Sequence, residues 1–468
     1  LEEAGKDQIA LEDKIKLLNS NGHKKELSED TTSSEQDTIG KQDVDQGKRQ
    51  RFHQGDDVIN LEHVINLEDE LVLSPRAVPI GTQGKVERLE TGGAEICFNI
   101  DGSEHKAWVP DSEFSKLRRV KEVIDDKIWE LARRGIELDK VLDFYGSLKD
   151  NWDGFDPAKS TTSQVVSKAI IPITVKPDGG GGEAYATHVR KTPMLATRMV
   201  THHWGNIFSH FVAAIVADAM DRPTYKDVLV RLNDDLPGLK EELREMGKLH
   251  VIYWACPFSV NQHRGICKSK YQVPACKCNC KAFESGDPAC EMDKFDVMMG
   301  RMLIEASKDA RHMIAIDVKG MVFTRAWVVA ELVVGAAIEM ELDQKFSAYD
   351  KESIEELCIS ATKIDIRKCK ASREEDKKMI IDMAEKRLDI DSYNAQLQAQ
   401  IRDLLGKTKQ SIKKAETVQV LFIGNERVGT TTLLESIIGT AGCLESEQSG
   451  LFKECENDGI VFMELPGL

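Results

Sequence analysis

No run of 18 apolar residues occurs in this 468-residue chain, which excludes a helix long and greasy enough to span a bilayer core. Nor is there an excess of basic charge, since 63 Lys and Arg stand against 79 Asp and Glu, a formal net charge of −16. Phosphate backbones are held by clustered cations, so a uniformly acidic chain argues against nucleic acid as its partner. Aromatic residues are scarce at 6%, and residues 1–57 contain hardly any. That stretch, crowded with Ser, Asp, Gln, Glu and Lys, buries too little apolar area to offset its ordering entropy and is expected to be disordered. The 11 cysteines lack the short secreted setting of a disulfide framework. In a long charged chain they fit a reducing compartment, and a cytoplasmic location is expected. The chain also begins at Leu1 rather than Met, so the missing signal sequence carries little weight.

What is present suggests several folded units. Across 71–120, alternating apolar positions such as Ala94, Ile96 and Phe98 are separated by Gly92-Gly93 and Asp101-Gly102. Such spacing signals short antiparallel strands, and the pattern resembles a small SH3-like barrel with Trp108 in its core. Residues 121–189 are expected to hold a helix and then a flexible linker around Gly179–Gly182. Residues 349–416 carry apolar residues at helical spacing, among them Leu397, Ile401, Leu404 and Leu405. They are read as an amphipathic helix that either forms a coiled coil or packs on its own neighbours. Between them, 190–345 alternates buried-strand runs (His250–Val260, Met313–Asp317) with helical stretches (Ile207–Met220, Glu291–Ser307, Thr324–Met340). Strand–helix alternation of this kind implies an α/β fold, a parallel sheet flanked by helices.

In that block, Phe323-Thr-Arg-Ala-Trp327-Val-Val-Ala-Glu331-Leu332 follows a buried strand and loop. It resembles the S-x-W-C-x-x-E-L helix start of Toll/interleukin-1 receptor (TIR) domains. With Trp254–His263 and Met292–Asp296, the block is more similar still to the TIR-like group of protist, dinoflagellate-type multidomain proteins. In TIR enzymes that cleave the nicotinamide–ribose bond of NAD, one glutamate at this helix position carries the reaction. The resemblance therefore implies Glu331 as catalytic residue, with Trp327 one turn before it. A carboxylate beside the ribose would stabilise an oxocarbenium-like transition state. Two departures stand out. Val328 replaces the usual cysteine, and the opening loop reads His202-His203-Trp204. That loop and Asn261-Gln262-His263 are the candidate substrate loops, because ligands bind beyond the carboxyl ends of parallel strands. His263 would either contact phosphate or ribose or cap its strand. Trp327 equally suits core packing, and Glu331 a solvated helix face.

Five cysteines, Cys267, Cys276, Cys278, Cys280 and Cys290, follow within 24 residues. They suit either a zinc site, since thiolates bind the ion tetrahedrally, or free thiols in a loop. The last segment, 418–468, resembles the opening third of a P-loop GTPase domain, so the chain is expected to be a fragment. An apolar strand, Val418–Ile423, leads into Gly424-Asn-Glu-Arg-Val-Gly429-Thr430-Thr431, and a second strand enters Glu464-Leu465-Pro466-Gly467. Backbone N–H groups of such a turn cradle phosphates, and the resemblance implies GTP and Mg²⁺ as ligands, with Thr431 on the metal. Thr430 stands where the family has lysine, and Glu464 where it has Asp, so hydrolysis is doubtful. Three functional readings follow: an NAD-hydrolysing signalling protein, a GTP-binding switch with a non-catalytic TIR-like assembly domain, or a non-enzymatic scaffold. Self-association would run through the TIR-like domain or the coiled coil.

Overall fold

The computed structural model describes residues 52–60, 65–67, 76–78, 82–100, 102–176, 181–267, 276–280, 283, 287–306, 309–337, 343–360, 363–371, 374–385 and 388–416, and the strand segments 418–423, 443–444, 453–457 and 460–465. The chain divides into two compact units at Asp125/Asp126. Of the stretch expected to be disordered, residues 1–51 lie outside the described residues.

The first unit is built on a five-stranded antiparallel sheet. Its strands are β1 (Asp57–Asn60), β4 (Gln83–Glu90), β5 (Gly93–Ile100), β6 (Ser103–Pro110) and β7 (Leu117–Arg119), in the order β6-β5-β4-β1-β7, while β2 (Ile65–Leu67) pairs with β3 (Arg76–Val78). Alternation decides the faces: Ala94, Ile96, Phe98, Ala107 and Val109 all point into one core. The same period turns Trp108 out of that core, contrary to expectation. Its ring lies over Gly93, where a Cβ would come within 2.7 Å of it. Gly92 and Gly102 take left-handed φ values of 97° and 79° at the two hairpin turns. A second correction concerns the acidic head. Phe52 is fully buried in this core and meets Phe114 edge-on at 5.2 Å, so order begins before residue 57.

The second unit holds a mixed sheet. Four strands run parallel: β9 (Arg198–Thr201), β10 (Ile252–Ala255), β11 (Arg311–Ala315) and β12 (Asp343–Ser347). The order is β12-β11-β9-β10, closed by a two-residue antiparallel edge, β8 (Ile136–Glu137). The chain moves from β9 outward to β10, then crosses back to β11 on the other side, so strand order reverses between β9 and β11. Alternation along β11 separates two cores. Met313 and Ala315 face helix α3 (Phe208–Ala219), while Ile314 and Ile316 face helix α7 (Ala326–Ala337). Helix α3 is buried almost all round, as its apolar sequence requires.

The stretch 121–189 departs from the expected linker. The expected helix is present as two, α1 (Val120–Ala132) and α2 (Leu138–Asn151), and the departure lies in the helical run Thr162–Thr174 beyond them. Leu142, Phe144, Val166, Ile170 and Tyr185 share the α3 core. Gly182 pairs with Val175 in an isolated bridge, so this glycine is packed rather than free. On the opposite face α8 (Lys351–Ser360), α9 (Glu374–Glu385) and α10 (Ile390–Glu416) cover α7. Leu397, Ile401, Leu404 and Leu405 are buried with Ile314 and Phe346. The face read as a possible coiled-coil seam is thus occupied within the chain.

In the last segment β13 (Val418–Ile423) pairs in parallel with β16 (Ile460–Leu465). Antiparallel β15 (Lys453–Asn457) follows, then β14 (Cys443–Leu444). Gly424, Gly429, Thr430, Thr431 and Gly467 lie outside the described residues, and Glu464 is described only as strand backbone. Among the described residues no helix is long and apolar enough to cross a membrane.

Candidate functional site at the carboxyl edge of the parallel sheet

Strand β9 ends at Thr201, and its alternation turns that hydroxyl toward α7. There the Thr201 hydroxyl donates to the Glu331 carboxylate. From behind, His312 Nε2 of β11 lies 2.8 Å from the same hydroxyl oxygen, and Gln344 Nε2 of β12 lies 3.1 Å from His312 Nδ1. Gln400 of α10 donates to Gln344 Oε1 at 2.9 Å. The directions agree from end to end. Gln344 donates to Nδ1, so the imidazole carries its proton on Nε2 and donates to Thr201, which donates to Glu331. Burial drives His312 down to about 3, which keeps it neutral as this chain requires. Burial also pushes the Glu331 carboxyl up to about 7, with the Thr201 hydrogen bond pulling the other way. Glu331 as a whole is half-buried.

The expected loop residues gather beside it. His202 is buried against Phe211, ring centroids 4.5 Å apart, with the half-buried Trp204 stacked at 6.4 Å. Its Nε2 lies 3.9 Å from the Cys256 sulfur. Desolvation first, and then His203, lower His202 to about 3. Burial raises the Cys256 thiol, and the nearby Glu331 charge raises it further. A neutral thiol of this kind is a poor nucleophile. His203 is shifted down by burial, with Asp317 opposing. Asp317 itself accepts backbone N–H groups from Lys319, Met321 and Val322 at 2.8–3.2 Å, so it shapes the loop before α7. Trp327, half-buried, packs at the edge of the α7 core.

The second expected loop splits in two. Gln262 donates to the Cys256 carbonyl at 2.8 Å and so braces the end of β10. Asn261 caps the turn that follows, accepting from His263 N at 3.0 Å. His263 turns away from Glu331, its Nδ1 3.4 Å from the Cys276 sulfur. Cys267 and Cys278 join it, whereas Cys290 is buried outside that group. Thr201, Cys256, His312 and Gln344 escaped the sequence reading. Thr201 and His312 sit on neighbouring strands, but only the sheet register brings them together. An open groove of about 470 Å³ along the Lys363–Lys368 segment and α10 contains none of the expected site residues.

No family model, curated protein or solved structure matches this chain.

Proposed function

We propose that the α/β unit is a TIR-like signalling domain that hydrolyses the nicotinamide–ribose bond of NAD, with Glu331 as its catalytic carboxylate. One observation carries this reading: the Glu331 carboxyl reaches the carboxyl end of β9, next to the reversal of strand order. In open α/β sheets that crevice is where ligands bind. The ionised carboxylate stabilises positive charge developing on the ribose as the C1′–N bond breaks. The electron pair leaves with nicotinamide, water adds at C1′, and one proton is released. Thr201, braced by neutral His312, orients the carboxylate. A carboxyl poised near neutrality is ionised above about pH 7, so turnover should rise through that value. Chromatography of the full chain, concentrated or clustered, should show nicotinamide release. Glu331→Gln should cost at least a hundredfold while circular dichroism stays unchanged. Equal turnover in wild type and Glu331→Gln would remove Glu331 from the mechanism.

The carboxyl-terminal strands favour a second activity, nucleotide binding by a P-loop GTPase-like unit. In the β13–β16 pair Ile423 faces Leu465. The two parallel strands thus end together, each just before residues that the P-loop resemblance assigns to phosphate contact: Gly424–Thr431 follows Ile423, and Pro466-Gly467 follows Leu465 in sequence. We read the first unit as a small SH3-like structural module.

A further inference from the structure

We propose that His263 Nδ1 and the thiolates of Cys267, Cys276 and Cys278 form a closed, structural zinc site. These four ligand atoms lie within 4.8 Å of one another, and His263, Cys267 and Cys278 are buried. A tetrahedron with Zn–S bonds of about 2.3 Å requires sulfur separations of about 3.8 Å. The Cys267 and Cys278 sulfurs are 3.5 Å apart, and His263 Nδ1 is 3.4 Å from Cys276. Small outward movements would admit the ion.

Two features beyond proximity favour a metal. The first is the histidine tautomer. Thr174 Oγ1 donates to the Ile170 carbonyl at 2.8 Å, so it accepts from His263 Nε2–H at 2.9 Å. That leaves the Nδ1 lone pair pointing at the sulfurs, and an orienting partner on the far nitrogen is the usual support of a ligating imidazole. The second is how the ligands are held. His263 and Cys267 are four residues apart across one short helical turn, Gln262–Gly265, and so share a side. The Cys278 N–H approaches the Cys276 sulfur at 3.5 Å, a contact that favours thiolate charge.

The frame is equally committed. Glu291 accepts from Asn261 N at 2.8 Å and pairs with buried Arg134 at 2.9 Å. Asn261 donates to the Gly182 carbonyl at 3.0 Å. A Cβ at Gly182 would lie 2.1 Å from the His263 ring, so only glycine lets the imidazole pack there. Three soft thiolates and one imidazole select zinc over magnesium or calcium. Four protein ligands leave no open position for a substrate, so the site is structural. Its role is to staple the cysteine-containing insertion to the loop after β10, beside Thr174 and the Val175–Gly182 bridge.

The test uses the full chain, purified under reducing conditions from zinc-supplemented cells without chelator. Elemental analysis should find about one zinc per chain. Cys276→Ser, a half-exposed ligand, should weaken zinc in a chelator competition by more than a hundredfold, whereas Cys290→Ser should leave it unchanged. Thr174→Val keeps every ligand and should cost about ten- to a hundredfold in affinity. Cobalt substitution reads the ligand set directly, with Cys276→Ser losing about a third of the thiolate charge-transfer intensity of the three-thiolate site. A metal-free wild-type protein that neither binds added zinc nor gives that band would overturn the proposal. So would a Cys267–Cys278 disulfide under these conditions, or full zinc affinity in Cys276→Ser.

Discussion

Glu331 and His312 belong to one hydrogen-bonded chain yet respond to pH in opposite senses. Glu331 is raised from 4.5 to about 7 in the fold, so its contribution to stability is complete below 4.5 and disappears as pH rises through 7. His312 and His202 are lowered from 6.5 to about 3, so their contributions are complete above 6.5 and decline as pH falls toward 3. Between about 4.5 and 6.5 the unfolded chain takes up two protons at these histidines, while the fold retains one at Glu331. For these three groups the balance is one proton, on the order of 1.4 kcal/mol per pH unit, and His203, His210 and His263, also lowered by burial, act in the same direction. Acidification through that window should therefore lower the urea midpoint. His312→Gln can still hydrogen-bond in both directions, and its midpoint should fall less steeply. An identical pH dependence in the variant, followed by tryptophan fluorescence, would show that His312 is not the buried neutral group described here.

At the scale of elements, the parallel strands are clamped at their starts and carry the Glu331 hydrogen-bond chain toward their ends. Asp218, at the end of α3 and fully buried, accepts from Arg198 of β9 at 2.6 Å, Arg311 of β11 at 3.1 Å and Tyr253 of β10 at 2.8 Å. One carboxylate thus ties the starts of three strands. Asp218→Ala leaves Arg198 largely buried without that partner and should cost about 3–5 kcal/mol. Asp218→Asn keeps the volume and one acceptor oxygen, while its amide NH₂ faces donors, and should cost less than Asp218→Ala. A denaturant titration in which both variants match wild type would contradict the clamp. Much of this architecture was readable. The apolar runs at 250–260 and 313–317 and the helix at 207–220 all appear, with ends trimmed by local chemistry. Strand β10 stops at Ala255 because Pro257 supplies no N–H and starts a helical turn. Within 121–189 the run Thr162–Thr174 was harder to read, since it lies between Pro157 and the glycines at 179–182 and carries Pro172 inside it. The partners of Glu331 were hidden for another reason: Thr201, His312 and Gln344 come from three strands far apart in sequence, and register alone aligns them.

At the scale of the whole molecule, the reading depends on whether the carboxyl-terminal sheet also handles a nucleotide. Parallel β13 and β16 end side by side at Ile423 and Leu465, with β15 antiparallel beside β16. On the proposed phosphate-loop reading, the glycines at 424 and 429 would let backbone N–H groups face phosphate oxygens, and Thr431 would offer its hydroxyl to Mg²⁺. Thr430 brings no positive charge to the position from which lysine reaches the β- and γ-phosphates. A lost charge-assisted contact is worth roughly 1.5–3 kcal/mol, on the order of ten- to a hundredfold in affinity. Binding by this chain should accordingly be weak and nearly indifferent to the third phosphate. Thr430→Lys should tighten guanosine triphosphate selectively, by about that factor over the diphosphate. Calorimetry showing tight wild-type binding that lysine does not improve would contradict the phosphate-loop reading, and the α/β unit would then stand as the molecule's candidate nucleotide site.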